Sequence, residues 1–253
     1  MEFQNRGAVI IPMPETLLAR ADGIINSAVG DALVTGFDLS EKVHPVDEQW
    51  LDELAKGLAE QAWLSLDLSA RLPAGLLAAL RNEVTILHKS EAMSRAGIGR
   101  GADLVKDSSV RRDKIAWLEG FSEPQACLFS FLDQLRKGLN QRLFLGLKRF
   151  EAHYATYQSG DFYRRHVDSF RGRASRMISL VLYLNEDWGL EDGGELQLFS
   201  SGNECSPAGL VRPEAGRAVL FLSEEVPHEV LPANRTRYSI ACWFRQDEVP
   251  LPL

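Results

Sequence analysis

The stretch Tyr163-Arg164-Arg165-His166-Val167-Asp168 reads as a short strand carrying a pair of metal-ligand side chains. On a strand, residues two apart point to the same face. His166 and Asp168 can therefore offer an imidazole and a carboxylate to one ion. A His-x-Asp pair also arises by chance, and its plain reading is a hydrogen-bonded pair. A second imidazole has to come from another element. His228 follows a strand-like run and Pro227, and precedes a further strand-like run. The other histidines, His44, His88 and His153, are assigned to packing or surface roles.

Two imidazoles and one carboxylate on one side of an ion leave the opposite side open, a pattern diagnostic of non-haem iron(II) oxygenases. Such an iron must take a bidentate co-substrate and still offer a position to dioxygen, so the protein can supply only three ligands. Asp168 fills the coordination position that halogenation would give to a halide.

Arg237 adds a co-substrate anchor. In the run Arg237 to Trp243, Arg237, Ser239, Ala241 and Trp243 share one face, while Tyr238, Ile240, Cys242 and Phe244 share the other. An inward arginine can pair bidentately with the distal carboxylate of 2-oxoglutarate, and Ser239 can add a hydroxyl donor. Without such an anion, a buried arginine needs an internal carboxylate. Arg235, on the same parity but nearer the turn, is the rival. Tyr183 and Tyr157 can reach the same carboxylate or serve as core tyrosines with satisfied hydroxyls.

Outward from this constellation, the chain is strand-rich from Leu147 onward. Met177–Leu184, Glu195–Phe199, Ala218–Leu222 and Tyr238–Phe244 are short apolar runs punctuated by Gly, Pro, Asn and Asp, as in a barrel or sandwich. Upstream, Trp50, Leu51, Leu54, Leu58 and Ala62 recur at helical spacing. A strand over Trp63–Leu68 and a helix from about Pro73 to His88 follow. Asp113–Leu118 predicts a strand, and a long helix enters at Glu123-Pro124, with Leu128, Phe131, Leu132, Leu135 and Leu139 as its buried stripe. Between them, about Ser90 to Arg112, lies a glycine- and arginine-bearing segment read as a mobile loop or finger. The fold class is α+β. Residues 1–147 form a helical support region carrying the loop, and residues 148–247 form the catalytic core, as one integrated unit.

The bulk numbers narrow the function. A net charge of −7 argues against a nucleic-acid partner. Cys127, Cys205 and Cys242 are sparse and form no metal-binding pair, which predicts a reducing cytoplasm. No apolar run is long enough to span a bilayer, and Ala8–Ile11 is cut by Pro12 and Pro14 before it could form a signal-peptide core.

The stretches Tyr157, His166-Val167-Asp168, Leu182 to Trp188, Gly193 to Leu196, Pro227 to Val230, Arg237-Tyr238 and Asp113 to Gly120 together resemble the prolyl hydroxylase family. The likeness is strongest to the hypoxia-inducible-factor (EGL-9-like) type and its bacterial relatives. It implies a double-stranded β-helix (jelly-roll) core supported by N-terminal helices. It implies iron(II) on His166, Asp168 and His228, 2-oxoglutarate on Arg237 and Tyr183 with Tyr157 lining the pocket, and dioxygen as co-substrate. Ascorbate and a role in oxygen sensing are further expectations. The 90–112 segment would be the finger that closes over a peptide, and Arg176 would pair with Asp113. Ser239 departs from the alanine common in the animal enzymes, and the first 45 residues have no placed counterpart. The expected activity is hydroxylation of a prolyl residue in a protein, with elongation factor Tu as the candidate target and a monomeric enzyme. Arg164, Arg165, Arg171, Arg173 and Arg176 would either meet an acidic partner or form a solvated face. The alternatives are hydroxylation of a small amino acid and a non-catalytic metal or 2-oxoglutarate sensor.

Overall fold

The computed structural model describes residues 45–97, 106–169, 175–200 and 203–246. The first 44 residues, the centre of the 90–112 segment, Arg171 and Arg173 lie outside these ranges.

Helix α1 spans Glu48–Gln61; the Asp47 side chain caps it by accepting from the Trp50 N–H at 2.9 Å. Its buried stripe is Trp50, Leu51, Leu54, Ala55 and Leu58. Ala62, read from the pattern as helical, is instead the left-handed residue that ends the helix (φ 63°). Helix α2 covers Leu76–Lys89 and begins later than Pro73, because Gly75 sits at φ 78° and breaks the helical path. Helix α3 covers Glu123–Leu143, with the Ser122 hydroxyl capping Gln125 and Pro124 in the first turn. A Cβ on Gly138 of α3 would lie 2.4 Å from Leu51 Cδ1, so glycine is what lets α3 and α1 touch.

Eleven strands follow chain order among the described residues: β1 Trp63–Asp67, β2 Ser94–Arg95, β3 Lys114–Trp117, β4 Arg149–Tyr157, β5 Tyr163–His166, β6 Arg176–Tyr183, β7 Leu196–Ser200, β8 Asn203–Val211, β9 Arg217–Leu222, β10 His228–Val230 and β11 Arg237–Arg245. A seven-stranded sheet runs β1-β9-β6-β11-β4-β3-β2, and a four-stranded sheet runs β5-β10-β7-β8. Every strand pairing is antiparallel. The two sheets form a double-stranded β-helix.

The larger sheet has two unlike faces. Ile178, Leu180, Leu220, Ile240 and Phe244 point to the helices and join Leu58, Leu80 and Leu132 in the main core. Tyr157, Tyr183, Val219 and Phe221 point the other way and meet Leu196, Leu198, Val211 and Val230 of the smaller sheet. Each fully buried side chain of this size contributes about 1.5–3 kcal/mol, so the helices stabilise the sheet whose opposite face encloses the lumen.

Both ends of the 90–112 segment are anchored. Ser94 and Arg95 pair with Ile115 and Lys114. On the other side, the Arg112 N–H donates to Phe162 O at 3.1 Å and the Arg164 N–H to Val110 O at 2.9 Å. The segment's end thereby covers the free edge of β5.

Candidate active site

The antiparallel register of β10 against β5 places His228 directly opposite His166. Their ring centroids are 4.2 Å apart. Asp168 lies just past β5, its amide donating to Ser223 O at 3.1 Å. Asp168 Oδ1 is 3.5 Å from His166 Nε2 and 3.8 Å from His228 Nε2. One ligand atom from each of the three residues falls within 4.8 Å of the others.

The outer nitrogens of the imidazoles are committed elsewhere. His166 Nδ1 lies 2.9 Å from Arg164 O, and His228 Nδ1 lies 3.0 Å from Val226 O. A carbonyl oxygen only accepts, so each Nδ1 carries the proton and each Nε2 lone pair is left for an ion. Tyr163 stacks on the His166 ring at 3.6 Å, and Phe221 packs on His228 at 4.6 Å. Burial and the neighbouring His166 push His228 down to about 4, which keeps it in the neutral, ligating form. Burial acts to raise the Asp168 carboxyl, but His228 and His166 outweigh it and hold it well below the usual carboxylate range. Two imidazole nitrogens and an anionic oxygen suit a divalent iron.

Arg237 is 1% exposed and lies in the same lumen. Its Nε donates to Gly194 O at 2.8 Å and its Nη1 to Ser239 Oγ at 3.2 Å. Its Nη2 has no hydrogen-bond partner among the described residues, and neither does the buried Tyr183 hydroxyl. The guanidinium lies 4.9 Å from the Tyr157 ring centroid and 5.0 Å from that of Tyr183. Burial pushes Tyr183 up to about 12, so its hydroxyl stays protonated and can donate. Among the described residues no carboxylate pairs with Arg237. Two orphaned buried donors, one cationic, fit the distal carboxylate of 2-oxoglutarate.

The other sequence candidates sort clearly. Arg235 is turned away: it donates to Glu186 O and Asp187 O at 2.7 and 2.9 Å and pairs with Asp192. Arg176 does not pair with Asp113. It pairs with Glu151 at 2.6 Å, while Asp113 is taken by Arg111, two residues away, at 2.6 and 2.8 Å. Arg111 also donates to Gly97 O and lies over the Tyr163 ring at 4.2 Å. Arg165 lies over Phe199, and Arg164 donates to Ser109 O. His153 packs edge-on against Trp117 and Trp243, and His88 against Tyr238.

Sequence reasoning missed Gly194, Ser179 and Ser223. Gly194 (φ +71°) brings its carbonyl to Arg237, and a Cβ there would lie 3.1 Å from Arg237 Cδ. The Gly-Gly pair was its visible signal. Ser179 Oγ donates to Asp168 Oδ2 at 2.6 Å; a serine inside an apolar strand gave no signal of that contact.

Residues 152–245 match the family model described as the 2OG-Fe(II) oxygenase superfamily. Human Egl nine homolog 1 is 34% identical over 172 residues, which is 64% of this chain and 39% of that protein. This chain therefore spans about two fifths of that relative's length. Mouse prolyl hydroxylase EGLN3 is 32% identical over 166 residues, covering 62% of this chain and 68% of that protein. Among solved structures, a Pseudomonas putida prolyl-4-hydroxylase superposes with a TM-score of 0.70 at 41% identity, over 78% of this chain and 99% of that one. A Trichoplax adhaerens prolyl hydroxylase, solved in complex with a hypoxia-inducible-factor peptide fragment, gives 0.69 at 28% identity, over 79% and 90%. With these likenesses and the His-Asp-His cluster, the chain belongs to the prolyl hydroxylase family of the 2OG-Fe(II) oxygenase superfamily.

Proposed function

We propose that this protein is an iron(II)- and 2-oxoglutarate-dependent hydroxylase of a prolyl residue in a protein substrate. The observation that carries the proposal is the pairing of two unlike sites in one lumen. His166, Asp168 and His228 present ligand atoms within 4.8 Å of one another. Arg237 Nη2 and the Tyr183 hydroxyl are buried donors without hydrogen-bond partners among the described residues.

In this reading, His166 Nε2, His228 Nε2 and Asp168 Oδ1 would hold the iron. Arg237 and Tyr183 would hold the distal carboxylate of 2-oxoglutarate, with Tyr157 against the guanidinium and Ser239 orienting it. When bound, the iron and its co-substrates supply the oxidation that turns 2-oxoglutarate into succinate and carbon dioxide and a substrate C–H into C–OH. The chain's own contribution is orientation and exclusion of water. Leu198, Val219, Phe221 and Val230 line the lumen with apolar surface. The Nδ1 bonds of the two histidines fix the tautomers before anything binds. The reading assumes a reducing cytoplasm, which the sparse cysteines support.

For the protein target we carry forward elongation factor Tu, the candidate supplied by the bacterial side of the resemblance. The 41% identity to a bacterial prolyl-4-hydroxylase, over nearly all of that chain, supports a shared substrate class. The test is mass spectrometry of elongation factor Tu after incubation with the protein, iron(II), 2-oxoglutarate and air. One added oxygen on a proline, absent with His166→Ala, is the expected result. Succinate released only with other peptides or free amino acids would discard this target. No succinate under any of these conditions would leave a non-catalytic binding role.

A further inference from the structure

The Asp168 carboxylate is gripped on the side away from the histidines. Its Oδ2 accepts from Ser179 Oγ at 2.6 Å, and Ser179 Oγ lies 2.8 Å from Ser223 Oγ. Both serines are fully buried. Ser179 stands on the inward parity of β6, opposite Trp243 of β11 and Phe221 of β9. Ser223 directly follows β9 and is fixed by its main chain. Its N–H donates to Met177 O at 3.0 Å, and its carbonyl accepts the Asp168 N–H at 3.1 Å.

Proton counting gives this chain a direction. Each hydroxyl has one proton to donate, and an ionised carboxylate only accepts. The Ser179 proton is therefore spent on Asp168. The contact between the two serines can then be made only by Ser223 donating to Ser179. The relay runs Ser223 to Ser179 to Asp168, and each bond polarises the next. It engages Oδ2 and leaves Oδ1 as the oxygen that faces both imidazole Nε2 atoms.

We propose that Ser179, oriented by Ser223, is a positioning residue that keeps Asp168 a one-oxygen ligand. The proposal rests on reading the three-residue cluster as the iron site. A carboxylate can meet a cation with one oxygen or with both. If Oδ2 swung inward, it would take a coordination position that 2-oxoglutarate or dioxygen needs. The 2.6 Å bond opposes that swing, since rotating the carboxylate breaks a charge-assisted hydrogen bond and orphans a buried hydroxyl.

Manganese(II) serves as the probe metal. Its uptake by the purified full-length protein is measured first, from the electron paramagnetic resonance signal of the free ion. 2-Oxoglutarate is then titrated calorimetrically with the metal site full. Ser179→Ala should weaken 2-oxoglutarate binding to the loaded protein about 10- to 100-fold, the scale on which loss of a group that orients a metal ligand lowers metal affinity or activity. Ser223→Ala should act in the same direction but less, and Ser179→Thr, which keeps the hydroxyl, should restore binding. The thermal midpoint of each metal-free variant separates this role from a structural one: loss of packing lowers the midpoint without a hydroxyl-dependent change in affinity. Unchanged 2-oxoglutarate affinity in a folded, metal-loaded Ser179→Ala protein would overturn the proposal. A wild-type protein that takes up no manganese would instead overturn the iron reading beneath it.

Discussion

Strand β11 has two faces that obey different rules. Ile240, Cys242 and Phe244 face the helices in a core of apolar side chains. Arg237 and Ser239, on the alternate parity, face the lumen, where one guanidinium nitrogen and the nearby Tyr183 hydroxyl have no hydrogen-bond partner among the described residues. The first face holds the fold together. The second holds a buried charge with no carboxylate partner among the described residues, an arrangement that costs stability unless an anion binds there. One strand thus carries stability on one side and chemistry on the other, and substitutions on the two sides should part company.

The largest effect belongs to the proposed metal ligands of the lumen. Asp168→Asn or His228→Ala should bring hydroxylation to background, measured by product mass, while circular dichroism shows the fold retained. A chelator should do the same to the wild type, and iron(II) should restore it. Loss of the fold in these variants would mean that the lumen face is also structural, and the contrast between faces would collapse.

Arg237→Met comes next. Removing the cationic one of the two donors proposed for the co-substrate carboxylate should raise the 2-oxoglutarate requirement by about 2–5 kcal/mol of lost binding, roughly 30- to several-thousand-fold. Without ligand, the variant should be no less stable than the wild type, because an unmatched buried charge has been removed. A lowered denaturation midpoint for the ligand-free variant would show that Arg237 is satisfied within the protein after all.

Ile240→Ala sharpens the contrast from the other side. It should destabilise the fold by about 2–5 kcal/mol in urea unfolding, through lost burial and the cavity left behind. The affinity of the remaining folded protein for 2-oxoglutarate should be unchanged.

The alternation that creates these faces is the most legible feature of the sequence. Parity alone put His166 with Asp168 and Arg237 with Ser239, and apolar spacing marked helices α1 and α3. Less legible was whatever depends on a partner far along the chain. β8 was not anticipated, because Pro207 and Gly209 interrupt its pattern; Gly209 is there because a Cβ would lie 2.4 Å from a Trp63 ring atom. Ser179 looked like any strand serine until Asp168 was placed beside it. Asp113 was expected to meet Arg176, but local geometry gave it to Arg111. No spacing rule ranks two arginines that compete for one carboxylate.

That exchange of partners leads to the smallest expected effect, an acid-dependent one. Glu151 takes the place expected of Asp113, accepting from Arg176 at 2.6 and 2.9 Å and from Arg245 at 2.6 Å. Burial acts to raise its carboxyl, but Arg176 and Arg245 outweigh it and hold the group below its ordinary value. A carboxyl depressed in the folded state contributes stability above its unfolded value, and that stability is lost as pH falls through the folded one. The loss should therefore appear from about pH 4 downward. Glu151→Gln should lower the thermal midpoint at pH 7, where the ion pairs are intact, and should flatten the fall between pH 5 and pH 3. Because Arg176 also lies 3.7 Å over the Trp243 ring on the lumen face, the variant tests whether that face contributes any stability of its own. An acid profile parallel to the wild type would show that the network is held by its neighbours' packing and not by charge.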